Sequence, residues 1–295
     1  MLAAARLRRM NEIETIAVIG AGTMGRGIAQ TAACAGYRVV LVDADPGALS
    51  GGLAAIERAL AMMVEKGKFT AAGKDTATAL LAHASTLEDG VKNAGLVIEA
   101  VPESVELKQR IFRALHAAAP SSAILASNTS SLSIASIAAA TGRPAQVVGM
   151  HFFNPVPVMP LLEIVRAVET SDATIAAAVH VAARLGKDAI VVRDSPGFAT
   201  SRLGVLLGLE AIRMVEAGVA SAEDIDKAMT LGYKHPMGPL RLTDLVGLDV
   251  RLAIAEHLHR ELGSEAFRPP ELMRKMVKDG ALGKKTGRGF YRWDA

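Results

Sequence analysis

The chain is poor in cysteine and in aromatic side chains. Its 295 residues include one cysteine, one tryptophan, three tyrosines and seven phenylalanines. A lone Cys34 makes neither an intrachain disulfide nor a cysteine-built metal cage. It falls in an apolar helical pattern and reads as a small buried hydrophobe, and no metal site is expected. No apolar run approaches the roughly 20 residues that cross a bilayer, so no membrane partner is expected. A dominant charge sign is missing as well: 33 Lys and Arg against 30 Asp and Glu leave a formal charge of +3. The basic residues are scattered rather than blocked, which argues against a nucleic-acid partner and leaves room for a polyanionic small molecule. There is no fixed-period repeat and no low-complexity segment. What remains, 51% hydrophobic and 21% charged, suits a globular protein with one large domain or two smaller ones.

The opening "MLAAARLRRMNE" is Arg-rich with no acid before Glu12, a faint likeness to a mitochondrial presequence. It is short, lacks serine and runs almost directly into the first strand. It therefore reads as a disordered lead-in over 1–12, or as an upstream start with Met10 the working one. Beyond it, short apolar runs alternate with helical stretches: Thr15–Gly20, Arg38–Asp43, Leu96–Val101, Ala123–Ser127, Gln146–Met150, Leu161–Val165 and Ala189–Val192. Unbroken apolar strands spaced by helices imply a parallel sheet covered on both faces. After Asp194 the pattern turns helical, with "SPGF" as the break. The expected fold is α/β: a Rossmann-type, mostly parallel sheet over 13–194, followed by an all-α domain over 195–295.

"VIGAGTMGRG" places Gly20, Gly22 and Gly25 in G-x-G-x-x-G spacing, directly after a strand and opening a helix with Thr23 and Met24. One glycine allows the tight turn, one lets a pyrophosphate approach the backbone, and one lets helix and strand pack. The next strand ends at Asp43, near the expected distance of about 20 residues from the glycines. An acid there accepts both ribose hydroxyls and repels a 2′-phosphate, which favours NAD over NADP. A second constellation lies in "GMHFFNPVPVMPLLEIV". His151 follows a strand, and Glu163 lies on the next one. The pair can meet over the ligand edge of the sheet, the carboxylate orienting the imidazole as a general base. "ASNTSSLSI" adds Asn128, Ser130 and Ser131 at a strand end, although the serines can equally cap a helix starting near Leu132.

The segments "GAGTMGRGIAQ", "IEAVPESVELKQRIF", "ILASNTSSLSI", "GMHFFNPVPVM", "LGKDAIVVRDSPGF", "DIDKAM", "HPMGP", "LVGLD" and "GKKTGRGFY" occur in that order. Together they resemble the short-chain L-3-hydroxyacyl-CoA dehydrogenases, most closely the bacterial 3-hydroxybutyryl-CoA dehydrogenases, from about Ile13 to Arg292. The resemblance implies a cytoplasmic enzyme that reversibly oxidises (S)-3-hydroxyacyl-CoA with NAD and dimerises through its helical domain. It implies His151 as general base, Glu163 as its orienting partner and Ser130 as a hydrogen-bond partner of the reacting oxygen. Glu103, Lys108, Asn128, Asn154 and Lys285 match cofactor-contacting positions. Lys66 and Lys68 in "EKGKF" are the candidates for the coenzyme A phosphates. The pattern departs at Ser201: "PGFATSR" has serine where the family carries the asparagine that helps bind the substrate oxygen. Gly204 and Gly208, four apart on one helix face, would let another helix approach closely, in keeping with a dimer. Two other readings are a dehydrogenase of the same fold acting on a free hydroxy or sugar acid, as the crystallin-like gulonate dehydrogenases do, and a cofactor-binding protein with a dead site.

Overall fold

The computed structural model describes residues 13–293, so the 1–12 lead-in lies outside the described residues. The chain forms two compact units, which join in sequence between Asp194 and Ser195. The first is built on eight strands: β1 (Thr15–Ile19), β2 (Arg38–Val42), β3 (Leu81–Ala84), β4 (Leu96–Glu99), β5 (Ile124–Ser127), β6 (Val147–Phe152), β7 (Leu161–Arg166) and β8 (Asp188–Arg193). They form one sheet in the order β3-β2-β1-β4-β5-β6-β7-β8. Strands β1 to β6 run parallel; β7 is antiparallel to β6, and β8 follows β7. The reversal at β7 has a simple cause. Only residues 153–160 join β6 to β7, too few for the crossover helix that a parallel pair needs.

Among the described residues, seven α-helices belong to this unit: α1 (Thr23–Cys34), α2 (Pro46–Glu65), α3 (Ala71–Ala79), α4 (Leu87–Val91), α5 (Val105–Ala118), α6 (Ile134–Ala138) and α7 (Asp172–Arg184). Strands β4, β5 and β6 are buried along their whole length, which is why they read as unbroken apolar runs rather than as alternation. Strand β3 has no such signal. "LAHA" is a half-exposed edge strand of small residues, paired with β2 alone.

Three expectations need correction. Helix α2 is, by length and composition alone, long and apolar enough to span a bilayer. It nevertheless exposes Glu57, Arg58 and Glu65, and it packs Leu49, Ile56 and Leu60 into the core. Cys34 is only half-buried at the core margin, and burial there pushes its thiol pKa up. His151 does not follow its strand but lies within β6, whose last residue is Phe152.

The second unit is helical: α8 (Thr200–Glu216), α9 (Ala222–Lys227), α10 (Pro239–Val246), α11 (Leu248–Leu262) and α12 (Glu271–Lys278). Val205, Leu209 and Ile212 of α8 pack with Leu240, Ala255, Leu258, Phe267 and Met273. The stripe at Gly204 and Gly208 is used inside this unit. A Cβ on Gly208 would lie 2.6 Å from the Arg251 guanidinium and 3.1 Å from the Thr243 hydroxyl, and Arg251 donates to the Gly204 carbonyl. Helix α11 therefore approaches closely at this stripe, as expected, and lodges the buried Arg251 against it. Burial pushes the Arg251 pKa down to about 10. The tail after α12 is held by two buried acids. Asp244 accepts from the backbone N–H groups of Phe290 and Tyr291 and from the Trp293 indole, each at 2.9 Å. Asp226 caps α10 at the N–H groups of Leu240 and Arg241 and accepts from the Tyr291 hydroxyl.

Candidate active site

The three glycines after β1 do three different things. Gly20 has φ +103°, and a Cβ there would lie 2.8 Å from the Ala100 carbonyl oxygen. A Cβ on Gly25 would fall 1.7 Å from the Gly20 carbonyl oxygen, so helix and loop touch only because it is glycine. Gly22 has nothing within 4 Å of its would-be Cβ, leaving its backbone open to a ligand. Helices α2 to α7 each begin with a capping side chain, namely Asp45, Thr70, Thr86, Ser104, Ser133 and Ser171. Helix α1 begins at Gly22 with none. Its first N–H groups are thus left to an anion, as a pyrophosphate site requires. Thr23 and Met24 open that helix. Asp43, just past β2, accepts from the Ala21 N–H at 2.8 Å and the Asp45 N–H at 3.0 Å. This locks the glycine loop to the strand end. A carboxylate has about four acceptor positions, so two remain for ribose hydroxyls. Loop, helix end and acid fit a dinucleotide.

Across the β1–β4 boundary lies a polar cluster that the sequence reading found only in part. Lys108, in α5, is not surface. It is fully buried, its ammonium 2.6 Å from Glu99 Oε1 and 3.3 Å from Glu103 Oε2. Glu99, the last residue of β4, is also fully buried and accepts from the Ser127 hydroxyl at 2.6 Å and the Val101 N–H at 2.8 Å. Glu103 does not cap α5, since Ser104 does. It accepts instead from the Thr129 hydroxyl at 2.6 Å, the Ser130 N–H at 3.0 Å and the Ser130 hydroxyl at 3.3 Å. Neither Ser130 nor Ser131 caps α6; Ser133 does. Asp194 braces the same segment, accepting from the Ser133 hydroxyl and the Ala135 N–H. Asn128 Oδ1 accepts from the Phe152 N–H at 2.9 Å, which ties the β5 exit to the residue after His151.

His151 and Glu163 sit directly opposite one another in the β6–β7 register. Imidazole Nδ1 lies 2.7 Å from Glu163 Oε2. The histidine is 6% exposed and the glutamate not at all, with the Phe153 ring 4.4 Å from the imidazole. A carboxylate at Nδ1 fixes the tautomer, makes Nε2 the basic nitrogen, and stabilises the imidazolium that forms on proton uptake.

Lys66 and Lys68 flank Gly67, whose φ of +65° turns the chain out of α2. They line a pocket of about 650 Å³ with Thr23, Arg26, Gln30 and Asn154. Arg26 had no marker in the sequence beyond standing next to Gly25. The pocket collects three cations and no acid, an arrangement that attracts a polyanion. Its far wall, residues 154–158, is held from below by Lys187. That buried ammonium donates to the carbonyls of Val156 at 2.5 Å and Met159 at 2.8 Å, and burial pushes its pKa down.

The remaining two expected site residues belong to the helical unit. Ser201 lies in the first turn of α8. Lys285 lies 2.6 Å from the Asp249 carboxylate.

Comparison with known proteins gives a consistent picture. Residues 15–195 match the family model "3-hydroxyacyl-CoA dehydrogenase, NAD binding domain", and residues 197–293 match its "C-terminal domain" model. The chain is 48% identical over 283 residues to a probable 3-hydroxybutyryl-CoA dehydrogenase of Bacillus subtilis, covering 96% of this chain and 98% of that one. It is 43% identical to the mitochondrial hydroxyacyl-coenzyme A dehydrogenase of Sus scrofa, with 95% and 91% covered. The crystal structure of (S)-3-hydroxybutyryl-CoA dehydrogenase from Ralstonia eutropha superposes with a TM-score of 0.93 at 44% identity, covering 96% of this chain and all of that one.

Proposed function

This chain belongs to the 3-hydroxyacyl-CoA dehydrogenase family of NAD-dependent oxidoreductases, and from that premise we propose that it reversibly interconverts (S)-3-hydroxyacyl-CoA, 3-hydroxybutyryl-CoA above all, and the 3-ketoacyl-CoA. The reading rests on one observation, the buried His151–Glu163 pair at the carboxyl edge of the sheet that carries the glycine loop. His151 Nε2 takes the proton of the 3-hydroxyl as the C3–H bond breaks. Glu163 stabilises the resulting imidazolium, and Ser130 hydrogen-bonds the reacting oxygen. NAD, when bound, supplies the hydride acceptor. The Gly20–Gly25 loop, Thr23, Met24 and Asp43 hold its adenosine and pyrophosphate portion. Glu103, Asn128 and Asn154, with Lys285, take the rest, while the buried Lys108 serves the cofactor through Glu103 rather than by touching it. In the reverse direction the imidazolium returns the proton to the oxygen.

Coenzyme A carries several phosphate charges, and the pocket of Arg26, Lys66 and Lys68 supports a thioester rather than a free acid. Ser201 is assigned to the substrate oxygen in place of the asparagine expected there. The helical unit exposes Leu203, Leu207, Leu231, Tyr233 and Val250, a surface suited to homodimer formation; a monomeric mass in solution would overturn that part. A cytoplasmic location completes the proposal. The substrate class is tested by following NADH oxidation with acetoacetyl-CoA and with free acetoacetate. Turnover with the thioester alone is expected. Turnover with the free acid alone would move the enzyme to another substrate class, and turnover with neither would overturn the catalytic reading.

A further inference from the structure

The sheet order changes direction between β1 and β4. In such sheets the dinucleotide lies over the carboxyl ends of the strands at that switch point, one mononucleotide half on each side. Asp43 serves the adenosine side. On the other side the last residue of β4 is Glu99, paired in register with Ile19 of β1 and Ser127 of β5. It is completely buried and fully engaged: one oxygen accepts from Lys108 and the Val101 N–H, the other from Ser127. Three elements therefore converge on one carboxylate directly beneath the crevice.

A buried ion pair is a poor way to make a fold stable, because apolar side chains of similar volume serve as well or better. Its location therefore needs another reason. Lys108 bridges Glu99 below to Glu103 above, and Glu103 is the acceptor that gathers Thr129 and Ser130. We propose that Glu99 is a positioning residue for the nicotinamide half of the cofactor: it fixes the Lys108 ammonium in the interior, and through Lys108 sets Glu103 and the Thr129–Ser130 turn at the height the cofactor needs. Only the assignment of Ser130 to the reacting oxygen rests on the function proposed above. The cofactor's seat on Glu103 and Lys108 does not depend on which substrate is used.

The test is binding without substrate. Glu99→Gln keeps the shape and loses the charge. NADH affinity, read from nicotinamide fluorescence, is expected to fall about tenfold, the weight of one hydrogen-bonded charge. ADP-ribose, which lacks the nicotinamide, is expected to bind within about twofold of wild type, read by calorimetric titration. If Glu99→Gln does not fold, Glu99→Gln/Lys108→Met removes both charges together, and the same split is expected. Equal loss of both ligands would reduce Glu99 to a structural role, and unchanged NADH affinity in the double variant would overturn the proposal outright. No acyl-CoA enters the titration. Failure of the wild type to turn over thioesters would therefore sink the substrate reading and leave this result standing.

Discussion

The two units bury charge in opposite ways. Among the described residues of the sheet unit, four of the five buried charged side chains meet one another, as Glu99–Lys108 and His151–Glu163; Lys187 alone answers to carbonyls. In the helical unit Asp226, Asp244 and Arg251 are buried mainly against backbone groups, with the Tyr291 hydroxyl and the Trp293 indole as neutral side-chain donors to the two acids. A carboxylate satisfied by neutral N–H and O–H donors is a nail: it pins segments. A carboxylate satisfied by an imidazole or an ammonium shares a proton or a charge with a partner that can change state. Buried ion pairs thus mark the chemical edge of the sheet, and buried charge–backbone contacts mark the architecture.

The contrast can be broken from either side. His151→Asn, whose amide N–H can still donate to the buried Glu163, should lower kcat about a thousandfold, the weight of a positioned general base, with NADH affinity and the unfolding midpoint retained. A comparable fall in stability would make the pair architectural after all. Asp244→Ala should do the converse. It strands three N–H donors and should cost the helical unit about 3 kcal/mol, read by thermal unfolding followed through Trp293, the one tryptophan of the chain. Lys66→Ala/Lys68→Ala should raise the KM for acetoacetyl-CoA about fivefold at low salt, the gap narrowing as salt screens the pocket. Ser201→Ala should lower kcat/KM roughly threefold, with NADH affinity unchanged, if serine there makes one modest hydrogen bond. Full activity would leave the substrate oxygen to Ser130 and His151.

The smallest effect concerns the tail. Burial, together with the hydrogen bond to Asp226 and the charges of Asp226 and Glu223, raises the Tyr291 pKa above its ordinary 10. The unfolded chain releases this proton near pH 10 while the folded chain keeps it, so the contribution is complete below that pH and is lost as the pH climbs above it. Tyr291→Phe should flatten the fall of the unfolding midpoint above about pH 10. An unchanged alkaline slope would assign that loss elsewhere.

The legible parts of the molecule were those where backbone geometry or a local run dictates residue type. The glycine loop, Asp43, the apolar strands and the break before Ser195 all declare themselves. His151 and Glu163 could be paired on paper because a short loop brings adjacent strands into antiparallel register. Glu99 stayed hidden because its role depends on β5 and α5 arriving beside it, and a glutamate closing an apolar run has no spacing signature of its own. The burial of Lys108 stayed hidden for the same reason: its partners lie on the preceding strand and turn. The glycines of α8 signalled a close helix but not which one: the occupant is Arg251, delivered by a helix far along the sequence. Edge strand β3, short and half-exposed, gave no apolar run to read.

The central claim is that the buried pair on β6 and β7 is chemical equipment. It is tested most directly by the steady-state turnover of acetoacetyl-CoA by Glu163→Gln, expressed per folded molecule. The glutamine keeps an acceptor for Nδ1 but carries no charge to stabilise an imidazolium. The account requires kcat to fall about a hundredfold or more, with NADH affinity and the unfolding midpoint close to wild type. Wild-type turnover, or a loss that only tracks the loss of folded protein, would contradict it.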